Sequence, residues 1–203
     1  LFTFHDPLLE QKTMALKHFK NTSHLYFNSI SLAQQKIFPS FKYDEIVYNG
    51  TEIDKYPFYE KDDGYAFFSG RMRRIKGPEI AIRVAKKLNI PLKLAGETSI
   101  DEQDLWDNDI EPYLSKKIKY LGMLPKKKLP KLYGRAKVLL MPINIPESFG
   151  LVMTEAMSVG TPVVAFDSGS PKEVIKHGKT GYIVKNERQM IKAVKKIYDM
   201  PAD

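Results

Sequence analysis

Val138-Leu139-Leu140-Met141 runs into Pro142, and shortly after it comes Glu147-Ser148-Phe149-Gly150-Leu151-Val152-Met153-Thr154-Glu155, followed by Ala156, Met157, Ser158 and Gly160. The first run is continuously apolar and reads as a buried strand. The second reads as a loop and the first turns of a helix, with Gly160 as its stop. Residues 147–155 therefore lie just beyond the carboxyl end of a strand, where open α/β sheets bind their ligands. The backbone N–H groups of Phe149, Gly150 and Leu151 would face anything bound there, and the helix dipole favours an anion. Gly150 lets a ligand approach the backbone closely. Two carboxylates, Glu147 and Glu155, bracket this anion site. The combination points to a phosphorylated ligand that also carries hydroxyls.

Outward from this stretch the pattern is regular. Apolar, unalternating strands are expected at 65–69, 92–95, 118–121, 138–141, 163–166 and 182–184. Helices are expected between and after them, at 78–88, 101–114, 127–135, 151–159, 171–176 and 187–199. The 78–88 segment carries Ile80, Ala81, Val84, Ala85 and Leu88 on one face and Arg83, Lys86 and Lys87 on the other. Strands of this kind alternating with helices imply a parallel sheet covered on both faces, a Rossmann-like doubly wound domain. Residues 1–57 read as a piece of a second α/β unit. Strands are expected at 1–4, 24–28 and 45–48, helices at 8–19 and 31–38 with Ser31 as an N-cap. Asn49-Gly50 marks a turn, and 56–64 reads as a linker. The expected division is a partial α/β segment over 1–57 and a ligand-binding domain over 58–203.

Composition narrows the classes. With 203 residues, 43% hydrophobic and 28% charged, the chain resembles a globular protein of one sizeable domain or one plus a fragment. No apolar run is long enough to span a bilayer, and residues 1–6 lack the basic region of a signal peptide. Cysteine is absent, so disulfides and thiolate metal sites are excluded. A cytoplasmic setting is the expectation. The net charge of +8 suits phosphorylated substrates or peripheral contact with an anionic membrane face, or is simply a solvated Lys-rich surface. No basic patch is interleaved with aromatics, so no nucleic-acid partner is expected. Lys126-Lys127-Lys128 is the tightest basic cluster.

Several residues carry candidate chemistry. Gly70-Arg71 and Lys76-Gly77 sit in one loop at the carboxyl edge of the first regular strand. Arg offers a planar fork to phosphate oxygens and Lys a mobile charge; solvated loop cations are the alternative. Glu147 and Glu155 suit the hydroxyls of a diol, or simply complement the helix N-terminus. Eight residues of helical rise put them roughly 12 Å apart, wider than the roughly 5–9.5 Å of a glycosidase carboxylate pair. Asp167-Ser168-Gly169-Ser170-Pro171-Lys172-Glu173 follows a strand and offers amides for a further anion nest, or is an ordinary turn capped by Ser170. Leu121-Gly122-Met123-Leu124 could wrap a base with backbone groups, or is an ordinary strand-end loop. His5, at a strand's end and followed by Asp6, could bond a sugar hydroxyl or act as a base, or be a structural histidine. His18, His24 and His177 show no ligand spacing, and neither metal nor cofactor is expected.

Together these residues resemble the retaining glycosyltransferases with two Rossmann-like domains, the GT-B architecture. That family's signature pairs two Glu, here Glu147 and Glu155. Ser69-Gly70-Arg71 with Lys76-Gly77 resembles its phosphate loop, Leu121-Gly122 its base-contact loop, and Gly160-Thr161-Pro162-Val163-Val164-Ala165 the strand after the motif helix. Gly178-Lys179-Thr180-Gly181-Tyr182-Ile183-Val184 closes the sheet in the same way. Phe2-Thr3-Phe4-His5-Asp6-Pro7 and Tyr48-Asn49-Gly50 resemble, more loosely, its acceptor-side His loop and interdomain crossover. In two places the pattern differs: Lys172 separates Pro171 from Glu173, and Ser148 stands where Gly is frequent.

The resemblance implies sugar transfer from a nucleotide-diphosphate sugar to an acceptor (sugar, lipid or small molecule), with retention of configuration. Arg71 and Lys76 would bind the diphosphate, Glu155 the ribose and Glu147 the donor sugar. Phe149, Gly150 and Leu151 would offer amides. Gly70, Gly122, Met123, Leu124 and Glu173 would line the substrate, and His5 would approach from the other domain. It also implies a missing N-terminal acceptor domain, so that the chain is expected to be a fragment. The alternatives are a non-catalytic nucleotide-sugar-binding module, a nucleotide-sugar epimerase, or a basic Rossmann domain that binds nucleic acid.

Overall fold

A computed structural model describes residues 2–3, 26–37, 39 and 41–200. The expected helix at 8–19, together with His5, His18 and His24, lies outside the described residues.

The first part of the chain forms a small parallel sheet of β1 (Phe2–Thr3), β2 (Phe27–Ser29) and β3 (Glu45–Ile46), in that order. All three β2 residues are buried. The helix Leu32–Ile37 follows it directly. Ser31 caps this helix as expected: its Oγ accepts from Gln34 N–H at 2.9 Å, and Gln34 Oε1 takes the Ile30 N–H at 2.9 Å. This is a reciprocal cap of the kind that fixes where a helix starts.

The large sheet has six parallel strands: β4 (Tyr65–Ser69), β5 (Leu92–Ala95), β6 (Ile118–Tyr120), β7 (Ala136–Met141), β8 (Val163–Phe166) and β9 (Gly181–Val184). Their order is β6-β5-β4-β7-β8-β9. Alternate residues of each strand serve opposite cores, because side chains leave a strand with period two. Ala66, Phe68, Leu92, Leu94, Val138 and Leu140 pack with the helices Pro78–Leu88 and Glu187–Tyr198. Phe67, Ala95, Leu139, Met141 and Ala165 pack instead with Tyr133, Met153 and Ala156, from the helices Leu129–Gly134 and Leu151–Ser158. Burial on both faces explains why the strands read as continuous apolar runs. The winding reverses between β4 and β7, and that reversal opens the crevice where such sheets bind ligands.

The expected helix at 101–114 is not one helix. Ile100–Glu102 is a 3-10 turn, Gln103–Leu105 a short α turn, Trp106–Ile110 a π turn and Glu111–Tyr113 another 3-10 turn. Pro112 has no N–H, and its ring conflicts with the carbonyl four residues back. Asn108 adds to the break, since its Nδ2 donates to the Asp104 carbonyl at 2.8 Å and so competes with the backbone ladder. Arg74 braces the segment through Asp104 (2.7 Å) and Asp109 (2.9 Å). The expected helices at 127–135 and 171–176 are also shorter, at Leu129–Gly134 and Pro171–Val174. The strand expected at 45–48 is limited to Glu45–Ile46. Among the described residues no helix is long and apolar enough to cross a membrane.

Candidate active site

Two loops meet at the switch point. One leaves β4 through Ser69, Gly70 and Arg71 and returns at Lys76. The other leaves β7 and climbs to Glu147. Asn144 joins them: its backbone N–H donates to the Ile75 carbonyl and its Nδ2 to the Arg74 carbonyl, both at 3.0 Å. This brings Lys76 Nζ to 2.7 Å from Glu147 Oε2, with the two side chains 22% and 17% exposed. An ion pair so largely withdrawn from water is screened by salt less than a surface pair.

The Glu147 backbone is held from the other side. Its N–H donates to the Ser168 carbonyl (3.1 Å), and its carbonyl accepts from Ser170 N–H (2.9 Å). Ser170 Oγ donates to the Phe149 carbonyl at 2.8 Å. The loop after β8 thus spends the amides of Ser168 and Ser170 on protein acceptors. That use removes most of the anion nest expected at 167–173.

The helix Leu151–Ser158 begins at Gly150, whose φ of +75° is left-handed. Among the described residues, the N–H groups of Gly150, Leu151 and Val152 have no protein acceptor. They border a cavity of about 240 Å³, together with Ser69, Gly70, Lys76 and Glu147. The small sheet contributes Ile30 and Asn49 as walls. The cavity therefore presents a cation, a carboxylate and three free amides within one small space.

A second cavity of about 530 Å³ lies beyond the helix and shares Leu151 with the first. Glu155, Tyr56, Lys126 and Lys127 line it. Burial, followed by a hydrogen bond to Glu155, raises the Tyr56 phenol to about 12. Burial, followed by the Glu155 charge, holds the Tyr133 phenol well above its ordinary value. Tyr133 also donates to Ser69 Oγ at 3.0 Å, which links this cavity to the end of β4.

The structure thus brings Gly70, Lys76, Glu147, Phe149, Gly150 and Leu151 together around one cavity and sets Glu155 at the neighbouring one. Arg71 is exposed and makes no ion pair among the described residues. Gly122, Met123 and Leu124 follow β6, with Met123 76% exposed and Gly122 left-handed at φ +71°. Glu173 has its carboxylate engaged by the helix Leu32–Ile37 and the segment after β3: Leu32 N–H (2.8 Å), Ala33 N–H (2.7 Å) and Tyr48 Oη (3.0 Å) all donate to it. Ile30, Asn49, Tyr56 and Tyr133 were not legible as site residues, because only the fold carries them there. Among the described residues no group of three His, Asp or Glu could hold a metal ion.

A doubly wound sheet with a polar cavity at its switch point and a second parallel sheet beside it defines a Rossmann-like domain of GT-B type. Residues 51–203 match the family described as glycosyl transferases group 1, and the chain belongs to that family. It is 31% identical over 148 residues to the D-inositol 3-phosphate glycosyltransferase of Pseudarthrobacter chlorophenolicus, covering 68% of this chain and 35% of that protein. It is 35% identical over 126 residues to an uncharacterized glycosyltransferase of Methanocaldococcus jannaschii, covering 60% and 32%. The chain spans about a third of the length of these curated relatives. Among solved structures, Anabaena HepE in complex with UDP and glucose aligns with a TM-score of 0.84 at 20% identity, covering 97% of this chain and 61% of that one. Sucrose-phosphate synthase from Thermosynechococcus elongatus aligns with a TM-score of 0.84 at 20% identity, covering 98% and 58%.

Proposed function

We propose that this chain is the donor-binding part of a retaining glycosyltransferase that takes a sugar from a nucleoside-diphosphate sugar. Residues 58–203 form the donor domain, and 1–57 belong to an acceptor domain of which the chain carries a part. The observation that carries this reading is the Lys76–Glu147 pair, set against three unpaired helix amides at the sheet's switch point.

In this reading the diphosphate lies along the helix N-terminus and meets the amides of Gly150, Leu151 and Val152. Lys76 turns from Glu147 to a phosphate oxygen, and Arg71 reaches in from solvent. As the bond between the anomeric carbon and the phosphate oxygen breaks, charge grows on the leaving diphosphate, and fixed cations and amides stabilise it. Glu147, released from Lys76, accepts from donor-sugar hydroxyls. Glu155, between two phenols in the second cavity, accepts from the ribose hydroxyls. Gly122, Met123 and Leu124 border the base. The acceptor oxygen attacks the anomeric carbon on the face from which the diphosphate departs, which retains configuration, and its proton passes to the departing phosphate oxygen. UDP and glucose in the HepE structure support a ligand of this class, on a fold that this chain shares.

Calorimetric titration of the 203-residue chain with UDP, GDP and ADP tests the reading. Saturable binding of at least one, weakened by Lys76→Ala, is expected. No binding of any of the three overturns it.

A further inference from the structure

Glu173 stands outside the proposed chemistry, yet its carboxylate is among the most heavily engaged on the molecule. The helix Leu32–Ile37 leaves its first amides without intrahelical partners, as every helix does. Ser31 Oγ takes the Gln34 N–H. Glu173, far along the chain, takes the other two: Oε2 accepts from Leu32 N–H at 2.8 Å and Oε1 from Ala33 N–H at 2.7 Å. The Tyr48 hydroxyl adds a third bond, to Oε2 at 3.0 Å. The positive end of the helix and the carboxylate attract one another. Neighbouring Lys172 does not compete for that charge, since it pairs with Asp167 at 2.9 Å. Ser31 Oγ also donates to the Ser148 carbonyl, one residue past Glu147.

The consequence lies close by along the chain. Ile30 stands two residues before Leu32, and Asn49 directly follows Tyr48. Both are walls of the cavity that holds Lys76 and Glu147. The segments tied down by Glu173 are therefore the ones that carry the small-sheet walls of the pocket.

We infer that Glu173 is a positioning residue, a latch that holds the small sheet's Ile30 and Asn49 against the donor pocket and so sets how long a nucleoside diphosphate stays bound. The inference rests on the donor-site reading for its ligand but not for its geometry. Glu173 touches no reacting atom in this account. It acts through the backbone of residues 30–33 and 48–49, and its loss loosens one wall while leaving Lys76, Glu147 and the helix amides in place.

The test combines hydrogen–deuterium exchange with stopped-flow and titration measurements on the full 203-residue chain, using UDP, GDP and ADP as probes. Glu173→Gln keeps the size and removes the charge; Tyr48→Phe removes one donor of three; Lys172→Ala changes the neighbouring charge without touching the latch. Glu173→Gln is expected to speed exchange in peptides covering 30–37 about tenfold or more, as for loss of charge-assisted bonds. Exchange in β4, β5, β7 and β8 stays unchanged. The bound nucleotide then dissociates several-fold faster. Tyr48→Phe shifts both readings the same way but less, and Lys172→Ala shifts neither.

Unchanged exchange over 30–37 in Glu173→Gln overturns the latch. So does faster exchange with an unchanged nucleotide off-rate. Weaker binding without faster exchange also overturns it, because Glu173 would then contact the ligand directly. If the wild-type chain binds none of the three nucleotides, the donor reading fails, and the exchange measurement alone decides whether Glu173 holds the small sheet.

Discussion

Gly169 lies flat against the backbone of Glu147. The two residues form a parallel bridge, and a Cβ on Gly169 would stand 2.3 Å from the Glu147 carbonyl oxygen and 2.5 Å from its nitrogen. Gly169 also has a left-handed φ of +85°. Gly169→Ala therefore meets two penalties, a conformational cost of about 1–2 kcal/mol and a backbone collision that no rotamer relieves. The expected outcome is a melting temperature lowered by several degrees and weaker nucleotide binding, as the displaced Glu147 backbone carries the following amides of Gly150 and Leu151 out of place. Circular dichroism melting and titration calorimetry check it. An alanine variant with wild-type affinity would show that those amides are not placed by this contact.

The Lys76–Glu147 pair predicts opposite effects from its two members. On the proposed donor-site reading, the carboxylate of the unliganded protein competes for the ammonium that a diphosphate would use. Glu147→Gln releases Lys76, so on that reading free nucleoside diphosphate should bind a few-fold tighter. Lys76→Ala removes a charge-assisted contact to phosphate worth about 1.5–3 kcal/mol, or roughly ten- to a hundredfold in affinity. Paired titrations of the two variants with UDP and GDP read this directly. Weakening by both variants would mean that Glu147 does not compete for Lys76.

Tyr56 and Glu155 give a pH signature. Burial and then the Glu155 hydrogen bond raise the Tyr56 phenol from 10.0 to about 12. A phenol raised on folding keeps its proton in the native state longer than in the unfolded chain. Its contribution to stability is thus fully present below pH 10 and is lost as pH rises from 10 through about 12. Buried Tyr65 and Tyr198 are raised as well and act in the same direction. Melting temperature should fall across that window. In Glu155→Ala, Tyr56 and Tyr133 should both ionise earlier in an ultraviolet titration while staying above the free value, because burial is the larger cause for each. The same variant should bind nucleotide more weakly than Glu147→Gln does.

Much of this architecture is legible in the amino-acid order, for a physical reason. A strand buried on both faces must be apolar at consecutive positions, so Phe67-Phe68, Val138-Leu139-Leu140-Met141 and Val163-Val164-Ala165 announce themselves. Gly150 and the Glu residues around it are legible because a helix N-terminus at a strand's end has a local pattern. The segment around Trp106 is not, since amphipathic spacing continues through Pro112 while the backbone does not. Nor can spacing reveal that Glu173 faces Leu32 and Ala33, or that Tyr56 and Tyr133 flank Glu155. Those neighbours are brought together by sheet order, which no local pattern encodes.

Glu79 supplies a last prediction, away from the pocket. It lies in the first turn of the helix Pro78–Leu88, is 9% exposed, and its Oε2 has no hydrogen-bond partner among the described residues. Burial raises its carboxyl above 4.5, outweighing its own amide and the nearby Arg83 and Arg74, which lower it. An acid raised on folding favours the native state when protonated and opposes it once ionised. At neutral pH, then, the buried carboxylate is a net cost, of the order of the roughly 1–3 kcal/mol of an unsatisfied buried acceptor. Glu79→Met keeps the length of the side chain and removes the charge. It should raise the melting temperature at pH 7 by about 2–4 °C per kcal/mol recovered. The gain should shrink as pH falls towards 4.5, where the wild-type carboxyl takes up its proton. Melting curves of both proteins across that range check the sign. A gain that grows on acidification would mean that the ionised form is the one stabilised by Arg74 and Arg83.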